Sequence, residues 1–332
     1  PGYVRFLTLV YATLGSSYKT VCAAQSVIGA LACVLLYLVA KRLCGVRVAR
    51  LAAIFGAVNF HMIFAAAAVG HQALDVYWTL LLVWCLLEYL EQPQRLGRWM
   101  PALGLILGWA VLTREGNLAF WVFLIPWFLL AARVRVGWRR AALHVAVLSV
   151  FAWLVVRPFM GQGSLQGRMG AQWFFYPYAG VDINKWFNPW RDGAAAWALL
   201  ADQPLRVLSV VGRGLLGNFN AMFMNQGFGA FDPVFLLRWS TYFYGLWAYA
   251  FLFAFIGLVR VVWRALRQPA ASLGWWLILT VLVSRSLIHL FFEAAYRHRT
   301  PLEPYLILLA AYGATRLFSR DLPLTFRLNR LK

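Results

Sequence analysis

The sequence predicts an all-α membrane protein that crosses the bilayer many times. Of its 332 residues, 62% are hydrophobic and only 13% are charged, which is about half the charged fraction of a soluble domain. The apolar residues also form long blocks, such as the one over 20–39, and about 20 apolar residues in a row let one helix cross the hydrocarbon core. This composition excludes a soluble enzyme, a disordered chain and a disulfide-stabilised secreted domain.

Positive charges follow the apolar blocks. The formal net charge is +20, and 18 of the 31 Lys and Arg residues fall in five short segments at 41–50, 94–99, 133–140, 260–267 and 316–332. Basic loops stay on the cytoplasmic side of a membrane. We therefore expect all five segments to be cytoplasmic, and the net charge predicts topology rather than nucleic-acid binding. The Arg-rich inner loops and the helices rich in Ala, Leu and Arg are compatible with a bacterial-type inner (plasma) membrane.

This sidedness predicts about nine membrane segments, after an interfacial amphipathic helix over 2–13. The segments are expected at 20–40, 51–69, 76–90, 101–112, 118–131, 141–156, 241–263, 273–291 and 303–318. The fourth and fifth are too short for a full span. The turn between them, at 113–117, is therefore expected below the outer interface, where charged groups are tolerated only inside protein or beside a wet cavity.

Three regions follow from this order. Residues 1–156 form an N-terminal transmembrane part, with the interfacial helix and six membrane segments. Residues 157–238 form an extracytoplasmic loop or cap region, with an amphipathic helix at about 204–222. Residues 239–332 form the C-terminal transmembrane segments and a basic cytoplasmic tail.

Three outer turns, at 70–75, 113–117 and 296–299, carry most of the candidate chemistry. If the helices bundle normally, these turns meet at one cavity that opens outward. Arginines beside a carboxylate suit an anionic substrate, because a guanidinium offers paired donors to phosphate oxygens. The candidate residues in the turns are His71, Asp75, Arg114, Glu115, Arg297, His298 and Arg299.

Each candidate also has a purely structural interpretation. Asp75 can complement the dipole of the helix that it begins, and Arg114 can pair with Glu115. Asn59 and His61 lie inside a crossing and are expected to be interhelical hydrogen-bond partners. The four cysteines have no metal-like spacing, and we expect no metal and no cofactor.

Several segments resemble the GT-C superfamily of membrane glycosyltransferases, which use polyprenyl-phosphate sugars. This group includes protein O-mannosyltransferases and the aminoarabinose transferase of lipid A, and the likeness is to glycosyltransferase family 39. The similar segments occur in order along the chain: PGYVRFLTLVYATLGSS at 1–17, the helix over 71–87, LTREGNLAFWVFLIPWFLL at 112–130, QPLRVLSVVGRGLLGNF at 203–219 and YRHRTPLEPYLILLAAYGA at 296–314. In the family, a first helix and an acidic outer loop with the catalytic carboxylate precede the first of these segments, and this sequence shows no counterpart to them.

The resemblance implies transfer of a sugar from a polyprenyl-phosphate donor, with inversion, to a glycan, lipid or protein acceptor on the extracytoplasmic side. It implies that Asp75 is a substrate-orienting acid and that the principal base lies on the outer loop that precedes these segments in the family. Glu115 is a catalytic candidate from its place in the turn at 113–117, where the family commonly has a small residue or proline. The residues expected to bind substrate or phosphate are Arg114, His71, Arg297, His298 and Arg299. Three explanations for the missing elements stay open: the sequence is a fragment, a partner protein supplies them, or the protein is not catalytic. The alternative functions are a non-catalytic accessory subunit that retains the fold and binds lipid or a partner membrane protein, and a transporter of an anionic lipid. Membrane lipids are expected partners in every case.

Overall fold

The structure is a computed structural model that describes residues 1–93, 97–114, 116–159, 233–291 and 300–318. These residues form eleven α-helices. The helices are α1 (Gly2–Leu14), α2 (Tyr18–Cys44), α3 (Val46–Val58), α4 (Phe60–Ala67), α5 (Gln72–Glu91), α6 (Met100–Thr113), α7 (Asn117–Val136), α8 (Trp138–Val156), α9 (Pro233–Arg267), α10 (Leu273–Phe291) and α11 (Glu303–Phe318).

The predicted all-α membrane fold is confirmed. The number of helices that could cross a membrane is smaller than the sequence predicts. Among the described residues, five stretches are long and apolar enough to cross a membrane: Tyr18–Cys44, Gln72–Glu91, Asn117–Val136, Trp138–Phe159 and Ala270–Leu287. A sixth span exists if α3 and α4, which are bent by 51° relative to each other, count as one crossing. The described part of the chain thus has five or six candidate spans, and nine are not shown.

Two predicted segments differ in detail. The expected short piece at 118–131 is wrong, because α7 runs for 20 residues, includes Pro126 and ends only where Gly137 adopts a φ of 79°. Its neighbour α6 is short, with 14 residues. The expected crossing at 51–69 is broken at Asn59, whose side chain accepts a hydrogen bond from the backbone N–H of Met62 (3.0 Å) and so caps α4.

Helix α5 lies at the centre of the described bundle. It contacts α2, α6, α7, α10 and the 3-10 turn Thr300–Leu302 that precedes α11. A helix that is apolar on all sides is typical of such a buried position. Because α5 is central, the residues at its two ends mark the two ends of the bundle, and we call these the Asp75 end and the Glu88 end. Asp75 and Glu88 are thirteen positions apart, which corresponds to about 20 Å of helix.

The Glu88 end is joined by an ion-pair cluster. Arg42 at the end of α2 binds Glu88 through both carboxylate oxygens, and its Nη1 lies 2.7 Å from Glu91. Elsewhere, α9 and α11 pack backbone to backbone. A Cβ on Gly257 would collide with the carbonyl oxygen of Leu309, and one on Gly313 with that of Phe253, which is the close approach that small residues allow between membrane helices.

Candidate functional site

Asp75 is the centre of a buried polar cluster at its end of the bundle. Its side chain is fully buried and accepts four hydrogen bonds. Oδ1 accepts from Arg285 Nη2 (2.9 Å) and Asn117 Nδ2 (2.7 Å), and Oδ2 accepts from Arg285 Nη1 (3.0 Å) and Arg114 Nη1 (3.2 Å). A carboxylate has about four lone-pair sites, so the described partners occupy all of them.

Local structure explains how Asp75 is held. It lies in the first turn of α5, where the positive end of the helix dipole stabilises an anion. One turn later, the Thr79 hydroxyl donates to the backbone carbonyl of Asp75 (2.7 Å) and accepts from Arg285 Nη2 (2.7 Å). Thr79 therefore links the helix backbone to the arginine that binds the carboxylate.

The turn between α6 and α7 supplies the other two partners. Arg114 follows the last residue of α6 with an extended backbone, and Asn117 begins α7. Asn117 Nδ2 also donates to the carbonyl oxygen of Ala110 (2.8 Å), at the end of α6, which accepts from the backbone N–H of Arg114 as well (3.0 Å). The same amide thus closes α6 and binds Asp75, which fixes the position of the turn.

The sequence analysis did not identify Arg285, which lies within α10 and is only 1% exposed. Besides Asp75 and Thr79, its guanidinium donates to Asn117 Oδ1. Its Nε has no hydrogen-bond partner among the described residues. A signal was present, since an arginine inside an apolar span marks a polar interior or a functional site.

His71 lies next to this cluster, and its backbone carbonyl accepts from the backbone N–H of Asp75 (2.9 Å). It is half-buried, and its ring packs edge to face against Tyr3 of α1, with centroids 6.5 Å apart. The Tyr3 hydroxyl donates to Gln25 Oε1 (3.1 Å). Burial raises the pKa of Tyr3 to about 12, so its hydroxyl remains a donor at neutral pH and holds α1 at the Asp75 end.

A second buried carboxylate, Glu303, lies at the start of α11. Asn59 Nδ2 donates to its Oε2 (3.3 Å), and His61 Nε2 is 3.8 Å from its Oε1. The predicted interhelical hydrogen bond is confirmed for Asn59, and His61 lies at ion-pair distance from the same carboxylate. These contacts fix the break between α3 and α4 against α11.

The structure thus brings together two of the three predicted turns. Asp75 meets Arg114, and Asn117 of the same turn joins them. Four further candidates, Glu115, Arg297, His298 and Arg299, lie outside the described residues, so the roles assigned to them stay predictions. Among the residues that the structure describes, no three His, Cys, Asp or Glu side chains group closely enough to hold a metal ion.

Residues 1–160 match the family model of the dolichyl-phosphate-mannose-protein mannosyltransferases. The match includes the segments at 1–17, 71–87 and 112–130, and therefore Asp75, Arg114 and Asn117. Residues 1–160, slightly less than half of the chain, are therefore similar to that family. The resemblance noted in the sequence is confirmed, and the mannosyltransferase family is one of polyprenyl-phosphate-dependent membrane glycosyltransferases.

Solved structures show the same fold. The oligosaccharyltransferase AglB of Archaeoglobus fulgidus, in complex with an inhibitory peptide and a dolichol-phosphate, is 15% identical with a TM-score of 0.58, and the match covers 96% of this chain and 42% of AglB. ArnT of Cupriavidus metallidurans, bound to undecaprenyl phosphate, is 16% identical with a TM-score of 0.54, over 95% of this chain and 49% of ArnT. The chain therefore spans less than half the length of either protein. No curated protein matches the sequence.

Proposed function

We propose that this chain forms the membrane part of a glycosyltransferase that moves a sugar from a polyprenyl-phosphate donor to an acceptor on the extracytoplasmic side. The observation that carries the proposal is the pair of arginines, Arg114 and Arg285, that buried Asp75 holds at one end of the bundle, beside the turn that joins α6 to α7. The proposal includes nine membrane segments, with residues 157–238 as the extracytoplasmic cap.

The reaction is a single displacement. An acceptor oxygen or nitrogen attacks the anomeric carbon while the bond from that carbon to the phosphate oxygen breaks, and the configuration inverts. The polyprenyl phosphate leaves with the electron pair, and a fixed guanidinium such as that of Arg114 stabilises the charge that it gains. The acceptor proton passes to a carboxylate base within hydrogen-bond reach.

In this proposal Asp75 is a positioning residue. Four donors already occupy its lone-pair sites, so it is a poor acceptor for a substrate proton. It instead holds the guanidinium groups of Arg114 and Arg285 in position to bind the phosphate of the donor. The base is then a carboxylate outside the described residues. The resemblance assigns it to the outer loop that precedes the first similar segment in the family, and Glu115 is the further catalytic candidate within this sequence. Arg297, His298 and Arg299 are the further phosphate contacts of the proposal.

The same geometry favours one alternative, a non-catalytic subunit that retains the glycosyltransferase fold. Both carboxylates that the structure describes at the Asp75 end, Asp75 and Glu303, are fully buried and bound by other side chains. A subunit of this kind binds the lipid phosphate without transferring the sugar. Binding and turnover must therefore be measured separately.

The test uses the full-length protein in nanodiscs, with undecaprenyl phosphate for binding. Arg114→Gln is expected to weaken this binding about tenfold to a hundredfold, because it removes charge-assisted hydrogen bonds of about 1.5–3 kcal/mol. Arg5→Gln is the matched control: Arg5 is exposed on α1, and its guanidinium lies 4.5 Å from the Phe159 ring. If both variants bind undecaprenyl phosphate as tightly as the unaltered protein does, Arg114 is not part of a phosphate site and the assignment is wrong.

Turnover is measured with radiolabelled undecaprenyl-phosphate sugar and native membranes as the source of acceptor. Release of lipid phosphate only when acceptor is present supports the transferase. Binding without release supports the accessory subunit, and transfer of intact lipid between leaflets supports a transporter. The three outcomes are distinct.

A further inference from the structure

A strongly basic pocket lies between the C-terminal ends of α9 and α11. Its volume is about 520 Å³, and its lining includes four arginines and two aromatic residues: Arg260, Arg264, Arg267, Arg316, Trp263 and Tyr312. The remaining lining residue among those that the structure describes is the neutral Gln268. Its walls therefore carry four positive charges.

This pocket is remote from the Asp75 cluster. Helix α10 begins shortly after α9 ends, and a Cβ on Gly274, in the first turn of α10, would contact the side chains of Leu43 and Leu87. Leu87 is next to Glu88 on α5, so the pocket lies at the Glu88 end, about 20 Å of helix away from Asp75. It is a separate site from the one at the Asp75 end.

Ring contacts and helix packing hold the arginines of the pocket in place. The Arg267 guanidinium carbon lies 4.1 Å from the centre of the Trp263 ring, and that of Arg316 lies 5.7 Å from the Tyr312 ring. Arg260 Nη1 donates to the backbone carbonyl of Arg316 (3.3 Å), which joins the two helices directly. Guanidinium groups held in this way lose less freedom when they bind a phosphate.

An apolar stripe leads along α9 to this pocket. Leu252, Phe255, Val259, Trp263 and Leu266 recur at intervals of three or four residues and are each more than half exposed. Residues at this spacing share one face of a helix. Trp263 belongs both to the stripe and to the pocket lining, so the apolar face is continuous with the basic one.

We propose that this pocket binds the phosphate headgroup of an anionic phospholipid whose acyl chains lie along the α9 stripe. The four arginines of the described lining favour an anion, and arginine matches phosphate oxygens with paired donors. A soluble phosphate would bind the arginines through the same chemistry, but it has no apolar part to contact the α9 stripe. The continuity of the two surfaces therefore favours the lipid, and this inference does not depend on the proposed transferase activity.

The test uses photoactivatable phosphatidylglycerol in phosphatidylcholine nanodiscs that contain the full-length protein. Peptide mapping is expected to find the label on the 252–267 and 312–316 segments. The double variant Arg264→Gln, Arg267→Gln is expected to lower that labelling at least about fivefold. The matched control is the double variant Arg47→Gln, Arg50→Gln, which removes two exposed arginines from α3 near the same end. This control should change the labelling of the two segments by less than about twofold.

Three results would overturn the proposal. Equal loss in the two double variants shows only a general attraction of basic surface to anionic lipid. Equal labelling by a photoactivatable phosphatidylcholine removes the requirement for an anion. Displacement of the label by excess inorganic phosphate assigns the pocket to a soluble phosphate instead. If the first double variant is not monodisperse, Arg267→Gln alone is compared with Arg47→Gln in the same assay.

Discussion

Replacing Asp75 by Asn is expected to destabilise the protein by about 3–5 kcal/mol, because breaking a buried ion pair leaves charge without compensation. Arg285 is 1% exposed, and its two terminal nitrogens both donate to Asp75. Asparagine retains one acceptor oxygen but turns an NH₂ group toward the arginine donors. Two cations, Arg114 and Arg285, then face each other without the carboxylate between them. We expect the lower end of the range, because an unfolded chain in a membrane also finds polar partners.

A second substitution tests whether this cost is electrostatic. The double variant Asp75→Asn, Arg285→Met removes the stranded cation and keeps a side chain of similar length. It is expected to be more stable, by about 2 kcal/mol, than the sum of the two single effects predicts, since residues in one network couple by this amount. Unfolding in detergent micelles, followed by tryptophan fluorescence, measures all three variants.

Thr280→Val is the matched control on the same helix, α10. The Thr280 hydroxyl donates only within its own helix, to the carbonyl of Trp276 (2.8 Å). Its loss should change the free energy of unfolding by less than about 1 kcal/mol. Additive effects of Asp75→Asn and Arg285→Met would refute the reasoning, because they would show that the two side chains contribute independently.

Three further predictions concern the helix contacts. Gly257→Val should cost about 1–3 kcal/mol, measured by thermal unfolding in micelles, because its side chain would collide with the carbonyl of Leu309. Gln25→Leu should raise amide hydrogen exchange over 65–71 and cost about 1–3 kcal/mol, because Gln25 Nε2 donates to three backbone carbonyls there at 2.9–3.3 Å. Arg42→Gln should cost about 1 kcal/mol or less, and less at high salt, because its ion pair with Glu88 is partly exposed.

Each of these variants has a matched control. Gly116→Ala should have little effect, since the nearest atom to an added Cβ is 3.9 Å away. Ser26→Ala, next to Gln25, removes an exposed hydroxyl that bonds only within its helix, and should leave hydrogen exchange over 65–71 unchanged. Arg47→Gln removes an exposed charge near Arg42. An effect of equal size in a variant and its control would contradict the contact assigned to that residue.

The central part of the candidate site could be predicted from the sequence because charged residues are scarce among apolar helices. Asp75 and Arg114 each fall at the end of an apolar block, where burial is tolerable only with a partner. When the helices pack into a bundle, these two side chains come into contact at the same end. Arg285 could not be placed in the same way, because its partner Asp75 is 210 residues distant along the chain and no local pattern links them.

The boundaries of the helices were harder to predict than their existence. The basic segment at 133–140 was interpreted as a loop, yet α7 continues through Arg133 and Arg135 to Val136. Arginine is a good helix former, so positive charge marks the side of the membrane and not the end of the helix. The end is set by Gly137, whose positive φ allows the chain to leave the helix.

The shortness of α6 connects the buried cluster with the proposed chemistry. Fourteen residues form a helix of about 21 Å, whereas the hydrocarbon core is about 30 Å thick. The turn that carries Arg114 therefore ends below the interface if α6 starts at the opposite one. Stability alone does not require charges there, because apolar residues of similar size often replace a buried ion pair without loss. A site for a lipid phosphate does require them, since a guanidinium held by Asp75 in a protein-lined, low-dielectric site stabilises a leaving phosphate more strongly than the same group in water.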